Sequence, residues 1–378
     1  MTSIKKNYRF RVGLDVDDVL LPCIELAVEW ANRDYGFDPP LRVEECTSWD
    51  LKGTRAEVIL KYFGMEEFFE EQTPLAGAVE FVKELSKRAE IFAVTAIDPL
   101  FMSVRSEQLR KFFKEIPEEN YIPTSRKEMV KLDVLLDDGS HNLLKSSATY
   151  PVLYRRPWNS HITGTLAVNS YDEFLNLLSC IQDTYKERKD SVTPGSIIAL
   201  VGPSGSGKSA ISEELLKDER FEKTISTTTR NPRNLNELDS YDFISEEDFM
   251  TLLKKGEFAE STVYAGNRYG TKLKDIEEVL KKNKYVVQPI DISGAMALKR
   301  HFPTSIIYVD RPTLGIIQTL IHRVVTQQSS ESDIVSRIIS LENERKNREI
   351  CDFILDNTGT IEDAVQSIKS ILSAAAII

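Results

Sequence analysis

The segment GPSGSGKS, from Gly202 to Ser209, constrains the fold more than any other stretch of this 378-residue chain. It matches the pattern G-x-x-x-x-G-K-[ST], follows the apolar run GSIIALVG and precedes SAISEELLKDE, which has helical character. This context predicts a strand, a loop whose backbone N–H groups surround phosphates, and a helix. Lys208 is expected to reach the β- and γ-phosphates of a nucleotide, and Ser209 to bind Mg²⁺. The residues expected to contact that nucleotide are Gly202, Pro203, Ser204, Gly205, Ser206, Gly207, Lys208, Ser209 and Ala210.

The length of the chain and the order of its apolar runs indicate two α/β domains. At about 150 residues per domain, the chain is long enough for two or three units. Short apolar runs alternate with longer amphipathic stretches on both sides of DTYKERKDSVTPG, where charge and a Thr-Pro-Gly turn signal coincide. We therefore predict one domain over residues 1–182, a linker over 183–195 and a second domain over 196–378, each built around a mostly parallel sheet.

Apolar runs predict the strands of both sheets. The candidates cover residues 10–16, 90–96, 133–138, 150–156, 195–202, 284–292, 304–310 and 351–357. Between the first two runs, CIELAVEWANRDYG and AEVILKYFGMEEFFEE carry apolar residues three and four apart, which indicates helices. We expect this insert to form a small helical cap over the first sheet.

Composition narrows the classes of partner. The formal net charge of −11 argues against a broad surface for nucleic-acid backbone, while free nucleotides remain suitable ligands. The four cysteines are far apart and form no CxxC pair, so neither a zinc site nor a disulfide framework is indicated. The N-terminus does not resemble a secretory signal, and no apolar run approaches the ~20 residues of a membrane helix. We expect a cytoplasmic protein, or one of a host cytoplasm, that does not bind membranes.

An acidic pair follows the first strand candidate. Asp15 and Asp17 in LDVDDVL have one residue between them, which in a strand directs both side chains to the same face. At the carboxyl end of a parallel strand this pair can hold Mg²⁺ and offer a nucleophile, although such a pair also occurs as the decoration of a turn. The pair alone therefore leaves both interpretations open.

Three further features follow the acidic pair in order. They are Thr95 in AVTA, Lys127 in TSRKE, and Asp137 with Asp138 in VLLDD. Taken singly, they also fit a strand residue, a solvated lysine and a helix cap. Taken together with Asp15, they supply the nucleophile, phosphate donors and metal carboxylates that hydrolysis of a phosphomonoester requires.

The first half resembles the haloacid dehalogenase superfamily, and within it the 5′(3′)-deoxyribonucleotidases. The matching segments are LDVDDVL, EFFEEQTPLAGAVEFVKEL, VTA, TSRKEMVKLDVLLDD and LYRRPWN. The resemblance implies a Rossmann-like fold with a small cap, in which Asp15 forms an aspartyl phosphate and Asp17 is the acid and base. It also implies that Asp15, the backbone carbonyl of Asp17 and Asp137 bind Mg²⁺, with support from Asp138. Thr95 and Lys127 would neutralise the phosphate.

Four residues of this half qualify the resemblance. Phe68 and Phe69 match an aromatic pair that lies near the base in this family, although both also fit the core of a cap. Asp18 stands where many members have glycine, and Ala96 stands where related nucleotidases have a second hydroxyl on the phosphate. The second difference removes a phosphate donor.

The second half resembles the guanylate kinases, which are P-loop nucleoside monophosphate kinases. The segments ISTTTRNPR, SYDFIS, GEFAE, GNRYGT and PIDISGA follow the family's order. Singly, STTTR also fits a helix cap and RNPR a solvated turn. The resemblance implies an ATP donor and these acceptor contacts: Ser226, Arg230, Arg233, Tyr241 and Tyr269 on the phosphate, Glu260 and Thr271 on the guanine edge, and Asp291 at the acceptor.

The second half departs from the guanylate-kinase pattern at three places. Arg323 and Arg337 are expected to clamp the transferring phosphoryl group, but Gln327 and Gln328 fall near an expected arginine. Pro289 replaces an acidic residue. Asp356 in ILDN replaces an asparagine that usually meets adenine.

The combined expectation is a Mg²⁺-dependent nucleotidase joined to an ATP-dependent kinase of guanine-type nucleoside monophosphates. Two alternatives are the healing of nucleic-acid ends and a guanylate-kinase-like module that binds protein partners. The net charge of −11 argues against the first, and the intact Lys208 and Ser209 argue against the second. Because the two chemistries oppose each other, we expect the halves to act on different monophosphates.

Overall fold

The computed structural model describes residues 9–187, 197–232, 241–264, 267–326 and 331–375. The chain divides into two compact units, Met1–Leu178 and Ser179–Ile378. Each unit contains a parallel sheet with helices, so the predicted class of two α/β domains is confirmed.

The N-terminal unit contains a six-stranded sheet in which every described strand pairing is parallel. The strands are β1 (Arg11–Leu14), β2 (Glu90–Thr95), β3 (Tyr121–Pro123), β4 (Val134–Asp137), β5 (Tyr150–Tyr154) and β6 (Leu166–Val168). Their order in the sheet is β3-β2-β1-β4-β5-β6. All four residues of β4 are buried, and because side chains alternate between faces, both faces of the sheet are covered there.

Each of the four strand candidates of the first half contains a strand, whereas β3 and β6 were not predicted. Both are three residues long, which is too short for an alternating or continuous apolar pattern to stand out.

Helices of this unit follow the strands or lie between β1 and β2. They are α1 (Ile24–Tyr35), α2 (Glu66–Glu70), α3 (Ala78–Ser86), α4 (Met102–Phe112), α5 (Ser140–Lys145) and α6 (Tyr171–Glu187). Short 3₁₀ helices occupy Val43–Glu45, Arg55–Gly64, Pro99–Phe101, Glu118–Asn120, Lys127–Met129 and Pro157–Asn159. The insert between β1 and β2 is helical, as the sequence predicts.

Aromatic side chains hold the helical insert together. The Trp30 ring packs edge-on against Tyr62 and Phe68, with centroid distances of 5.3 and 5.5 Å. The same buried cluster includes Phe101, which follows β2, and Trp158, which follows β5. The cap core therefore reaches the loops at the carboxyl ends of the strands.

The C-terminal unit contains two sheets. Its strands are β7 (Ile197–Val201), β8 (Phe221–Glu222), β9 (Ser226–Thr228), β10 (Tyr241–Phe243), β11 (Phe258–Tyr264), β12 (Asn267–Lys272), β13 (Tyr285–Pro289), β14 (Thr304–Asp310) and β15 (Phe353–Asp356). A five-stranded parallel sheet has the order β15-β14-β7-β13-β8, and a four-stranded mixed sheet has the order β10-β9-β12-β11. Each of the four strand candidates of this half contains a strand, and β14 matches its candidate residue for residue.

Helices of the C-terminal unit cover the larger sheet and connect the strands. They are α7 (Lys208–Leu215), α8 (Glu246–Lys254), α9 (Leu273–Leu280), α10 (Ile292–His301), α11 (Thr313–Val325), α12 (Glu331–Lys346) and α13 (Ile361–Ala375), with a 3₁₀ turn at Asn347–Glu349. In the described ranges, none of the helices combines the length and the apolar composition of a membrane span.

Helix α6 enters the segment predicted as a linker. It continues to Glu187, so residues 183–187 are helical, and residues 188–195 lie outside the described residues. The charged side chains that suggested a linker are also good helix formers, which accounts for the difference. The domain boundaries drawn from the sequence stay predictions.

Truncating Ile198 should destabilise the C-terminal unit. Its side chain is fully buried in the core between β7 and the surrounding helices, and Ile→Ala at such sites costs about 2–5 kcal/mol in the free energy of unfolding. Ile354→Ala is the matched control, because Ile354 is 46% exposed on β15. Urea unfolding followed by far-ultraviolet circular dichroism measures both variants. Equal losses for the two would contradict this core assignment.

Candidate active sites

The acidic site of the N-terminal unit lies at the carboxyl edge of its sheet. Asp15 directly follows β1, Thr95 ends β2 and Asp137 ends β4, and these three strands are neighbours. The structure therefore brings together residues separated by more than a hundred positions in the sequence. This is the edge at which parallel α/β sheets bind ligands.

Lys127 lies between two of the carboxylates. Its Nζ is 2.8 Å from Asp15 Oδ1 and 2.7 Å from Asp137 Oδ2, and the lysine is almost fully buried. Burial alone would lower the pKa of Lys127, but the Asp15 and Asp137 carboxylates outweigh it and raise this pKa above its usual value. Lys127 is therefore a fixed cation inside the site.

Asp15, Asp137 and Asp138 form a carboxylate cluster that fits Mg²⁺. One oxygen from each lies within 4.8 Å of the others, and all three residues are buried. Burial, followed by repulsion from Asp137, raises the pKa of Asp15 well above its usual value. Carboxylate oxygens are the protein ligands that Mg²⁺ prefers, and a divalent cation would offset this concentration of negative charge. Asp17 does not belong to this cluster. The resemblance to the deoxyribonucleotidases implies that its backbone carbonyl, and not its side chain, binds the metal.

Supporting residues around the cluster were not predicted as site residues. Trp158 Nε1 donates to Asp138 Oδ2 at 2.6 Å, and Asn159 Nδ2 donates to the Asp138 carbonyl at 2.9 Å. Asn142 Nδ2 donates to Asp137 Oδ1 at 3.1 Å. The segment LYRRPWN carried the signal for Trp158 and Asn159, because it was among the matching segments, but their contact with Asp138 depends on the fold.

Asp18 adopts a backbone conformation that explains the glycine common at this position. Its φ is +56°, in the left-handed region that glycine enters without steric cost and aspartate tolerates. The Asp18 carboxylate accepts hydrogen bonds from the backbone N–H groups of Cys23 and Ile24, at 2.8 and 3.0 Å. Asp18 therefore holds the start of α1, and its replacement of glycine is a structural feature of the chain.

Asp17 and the predicted aromatic pair lie on the cap side of the site. Asp17 Oδ1 accepts from Arg105 Nη2 at 2.5 Å. Phe69 packs against Phe101 with ring centroids 5.0 Å apart, and its ring lies 5.7 Å from the Arg105 guanidinium carbon. Phe68 is fully buried among other cap aromatics. A role at the base stays a prediction for both phenylalanines.

The glycine-rich loop connects β7 to α7, as predicted. Gly202, Gly205 and Gly207 all have positive φ, of 141°, 87° and 104°. A Cβ at Gly202 would lie 2.7 Å from the Val309 carbonyl oxygen, so the tight approach of the loop to β14 requires glycine.

Lys208 bonds to the loop itself. Its Nζ donates to the carbonyl oxygens of Gly202 and Pro203, the latter at 2.9 Å. Burial lowers the pKa of Lys208 to about 8, although the Glu344 carboxylate opposes the shift. Glu344 also accepts from the Ser204 backbone N–H at 3.2 Å. The loop carbonyls and Glu344 therefore surround the ammonium group.

A pocket of about 840 Å³ lies over the loop. Of the predicted residues, Gly202, Ser204, Gly205, Gly207, Lys208, Ser209, Ala210, Asp291, Arg323 and Arg337 line it. Pro289 lines it too, so the residue that departs from the family pattern faces the same space. Pro203 and Ser206 complete the loop, and Gln327 and Gln328 lie outside the described residues.

Asn357, and not Asp356, is the residue of ILDN that lines the pocket. Asn357 Nδ2 donates to the Ser206 carbonyl at 2.6 Å, whereas Asp356 is exposed at the end of β15. The interpretation of Asp356 as a substitution at this position is therefore wrong by one residue. Asn357 is the first residue after β15, and the motif pattern alone did not resolve which of the two neighbours reaches the pocket.

The predicted acceptor residues form a row across the mixed sheet. Tyr241 pairs with Ser226, Ser226 pairs with Thr271, and Thr271 pairs with Glu260. Paired residues in adjacent strands project from the same face of a sheet. Tyr269 is two residues before Thr271 and therefore shares that face.

Arginine and glutamate lie at opposite ends of this row. The Arg230 guanidinium carbon is 5.5 Å from the centre of the Tyr241 ring, and Arg233 lies outside the described residues. Thr271 Oγ1 donates to Glu260 Oε1 at 2.6 Å. Burial raises the pKa of Glu260 to about 7, with a smaller contribution of the same sign from Asp291 and opposition from Thr271. The row thus offers cationic and hydroxyl groups at one end and a carboxylate at the other.

Comparisons with known proteins match each unit to one family. The model described as 5′ nucleotidase, deoxy (Pyrimidine), cytosolic type C protein matches residues 9–183, and the guanylate kinase model matches residues 195–375. The guanylate kinases of Clostridium tetani and Lactobacillus johnsonii are each 34% identical to 48% of this chain, which covers 86% and 89% of their lengths. A solved guanylate kinase from Anaplasma phagocytophilum is 26% identical over 49% of this chain and 87% of its own, with a TM-score of 0.37. The chain therefore belongs to the guanylate kinase family and joins its kinase domain to a 5′-nucleotidase domain, a combination of two enzymes of nucleotide metabolism.

Proposed function

We propose that the C-terminal unit transfers the γ-phosphoryl group of ATP to a guanine nucleoside monophosphate. The observation that carries this proposal is the row of Tyr241, Ser226, Thr271 and Glu260 on one face of the mixed sheet. The hydroxyl groups of Tyr241 and Ser226, at one end of this row, suit the phosphate of the acceptor nucleotide. The ionised Glu260 carboxylate accepts from guanine N1–H and the 2-amino group, and it repels the acceptors that adenine presents at the same edge.

Phosphoryl transfer in this unit depends on positioning and charge rather than on covalent catalysis. ATP occupies the pocket over the glycine-rich loop, where Lys208 leaves the loop carbonyls for the phosphate oxygens. Arg323 and Arg337 neutralise charge on the transferring group. Ser209 would hold Mg²⁺, which would supply further charge neutralisation.

The N-terminal unit, in this proposal, hydrolyses (deoxy)nucleoside 5′-monophosphates. Asp15 attacks phosphorus in line and forms an aspartyl phosphate, while the nucleoside oxygen leaves with a proton from Asp17. Asp17 then takes a proton from the water that attacks this intermediate, and inorganic phosphate leaves Asp15. Thr95 and Lys127 hold the phosphate oxygens. Asp15, Asp137 and Asp138 would hold Mg²⁺, which would supply charge neutralisation for the phosphate.

The proposed substrates also fit the cytoplasmic location that the sequence predicts, where ATP and nucleoside monophosphates occur. Free nucleotides are the partners of both sites in this proposal. A labelled oligonucleotide with a 5′ hydroxyl and a 3′ phosphate tests the alternative of end healing, and conversion at either end would favour that alternative.

Single substitutions should separate the two activities. Asp15→Asn should lower phosphate release from monophosphates by at least about 10³-fold, because the nucleophile is lost, and should spare diphosphate formation. Lys208→Ala should lower diphosphate formation with ATP by at least about 10²-fold and spare phosphate release. Each variant is the control for the other. Loss of both activities from either change would contradict two separate sites.

The pH dependence of the kinase activity should report the protonation of the Glu260 carboxylate. Because its pKa is about 7, the carboxylate is protonated below that pH and loses its charge for the guanine N–H groups. We expect kcat/KM for GMP to fall as the pH drops through about 7. Glu260→Gln should lower this value about 10²-fold at pH 8 and remove that part of the pH dependence. Glu246→Gln, an exposed carboxylate on α8, is the matched control and should keep the wild-type profile. A profile unaffected by Glu260→Gln would assign the titration to another group.

The two sites should prefer different bases. A panel of the common ribo- and deoxynucleoside monophosphates, assayed for phosphate release without ATP and for diphosphate formation with ATP, gives both profiles. We expect guanine nucleotides to lead only the kinase profile, because the Glu260 carboxylate in the predicted acceptor site matches the N–H groups of guanine. The same best substrate in both assays would contradict this, since the two units would then compete for one monophosphate.

A further inference from the structure

Arg105 is a buried cation next to the acidic site that the mechanism above does not use. It lies on α4, is 2% exposed, and its Nη2 donates to Asp17 Oδ1 at 2.5 Å. An arginine side chain is rarely buried to this extent unless it is paired or binds a ligand. Arg105 therefore requires an explanation beyond the packing of α4.

The remaining nitrogens of Arg105 have no hydrogen-bond partner. Nε and Nη1 are both buried, and the hydroxyl of Thr95 is buried and unpartnered as well. Within the described part of the N-terminal unit, every buried side-chain donor without a partner belongs to one of these two residues; the one other unpartnered atom there, Gln108 Oε1, is an acceptor. A buried donor left unsatisfied costs about 1–3 kcal/mol, and more when it is charged. The arrangement indicates a ligand that accepts several hydrogen bonds.

The neighbours of Arg105 specify the chemistry of that ligand. On one side is Asp17, which reaches the oxygen that links the nucleoside to phosphorus, and on the other is the Phe69 ring. Asp15 and Thr95 fix the position of the phosphate. An acceptor-rich dianion at this position satisfies the free guanidinium nitrogens, whereas a base ring alone would offer fewer acceptors.

A phosphate dianion requires additional cations in a site this acidic. Asp15, Asp17, Asp137 and Asp138 contribute four carboxylates, against which Lys127 supplies one positive charge and a bound Mg²⁺ would supply two. A phosphate dianion adds further negative charge. Arg105, paired with Asp17, adds one more cation to this site, and Ala96 lacks the hydroxyl found in related nucleotidases.

We propose that Arg105 binds the phosphate group of the nucleotide in the N-terminal site and supplies the donors that Ala96 lacks. Nη2 keeps Asp17 in place, while Nε and Nη1 donate to phosphate oxygens. This assignment rests on the proposed phosphatase function for its biological meaning, but phosphate binding itself is measurable without turnover.

The test measures binding of inorganic phosphate to the full chain in the presence of Mg²⁺. The three tryptophans, Trp30, Trp49 and Trp158, all precede the kinase unit, and Trp158 donates to Asp138, so tryptophan emission reports the N-terminal site. We expect Arg105→Met to raise the Kd for phosphate at least tenfold, and Arg105→Lys to raise it by a smaller factor because one amine replaces the planar fork.

Arg110→Met is the matched control. Arg110 lies on the same helix, is exposed and pairs with Glu118, so its loss should leave the Kd unchanged. Competitive inhibition of p-nitrophenyl phosphate hydrolysis by inorganic phosphate gives a second reading, in which Arg105→Met should raise Ki and KM together.

The outcomes separate the possibilities. An unchanged Kd in a folded Arg105→Met protein with reduced kcat would overturn the proposal and leave Arg105 as a residue that only positions Asp17. If Arg105→Met does not fold, Arg105→Lys tests the proposal instead. A raised Kd for phosphate at an unchanged unfolding midpoint supports the proposal, and a wild-type Kd contradicts it. If the wild-type protein binds phosphate but releases none from any monophosphate, the proposed phosphatase function fails while the Arg105 assignment stands.

Discussion

The ion pairs of Lys127 with Asp15 and Asp137 hold the centre of the N-terminal site. They join the ends of β1 and β4 to the 3₁₀ turn that follows β3, so three connections of the sheet depend on one ammonium group. A buried carboxylate cluster without such a cation would be strongly destabilised by repulsion. The supporting bonds from Trp158 and Asn142 then fix the remaining carboxylate oxygens. The cap is tied to the same centre because Trp158 belongs to its aromatic core.

In the glycine-rich loop the buried charge that needs stabilisation is positive, unlike the carboxylates of the N-terminal site. Here the functional group is a cation, and the loop supplies carbonyl oxygens and Glu344 to hold it. Asn357 bonds to the Ser206 carbonyl and fixes the far side of the loop. A nucleotide phosphate has to replace the carbonyl contacts of Lys208, which is geometrically simple because the flexible side chain moves and the glycine backbone stays. The N-terminal unit therefore contains a preformed cluster of carboxylates. The C-terminal unit contains a lysine, Lys208, that can exchange loop carbonyls for phosphate oxygens.

Local sequence patterns were sufficient to predict many of the strands and several of the site residues. Long apolar strands such as β14 and motif residues such as Asp15 and Lys208 are visible in the sequence, because each depends on a short run of neighbours. Arg105 was not, since a polar residue on an amphipathic helix gives no sign that tertiary packing will bury it. The pairing of Ser226 with both Tyr241 and Thr271 was also hidden, because sheet register depends on contacts between distant segments. Asp356 and Asn357 show the limit most clearly: the motif pattern pointed to Asp356, but its neighbour Asn357, just after the end of β15, lines the pocket.

The selectivity of the two sites follows from where each one places its charges. In the proposed kinase, Glu260 contacts the base, so the sign of its charge discriminates among nucleotides directly. In the proposed phosphatase, the carboxylates, Lys127 and Arg105 all lie around the phosphate, which is common to every nucleotide. Selection by base in that unit must therefore come from the cap. Phe69 is a cap side chain whose ring centre lies 5.7 Å from the Arg105 guanidinium carbon, and its apolar ring favours shape and stacking over hydrogen-bond recognition. A kinase that recognises hydrogen-bond donors on the base and a phosphatase that recognises the shape of the base can act in one chain without competing for the same monophosphate.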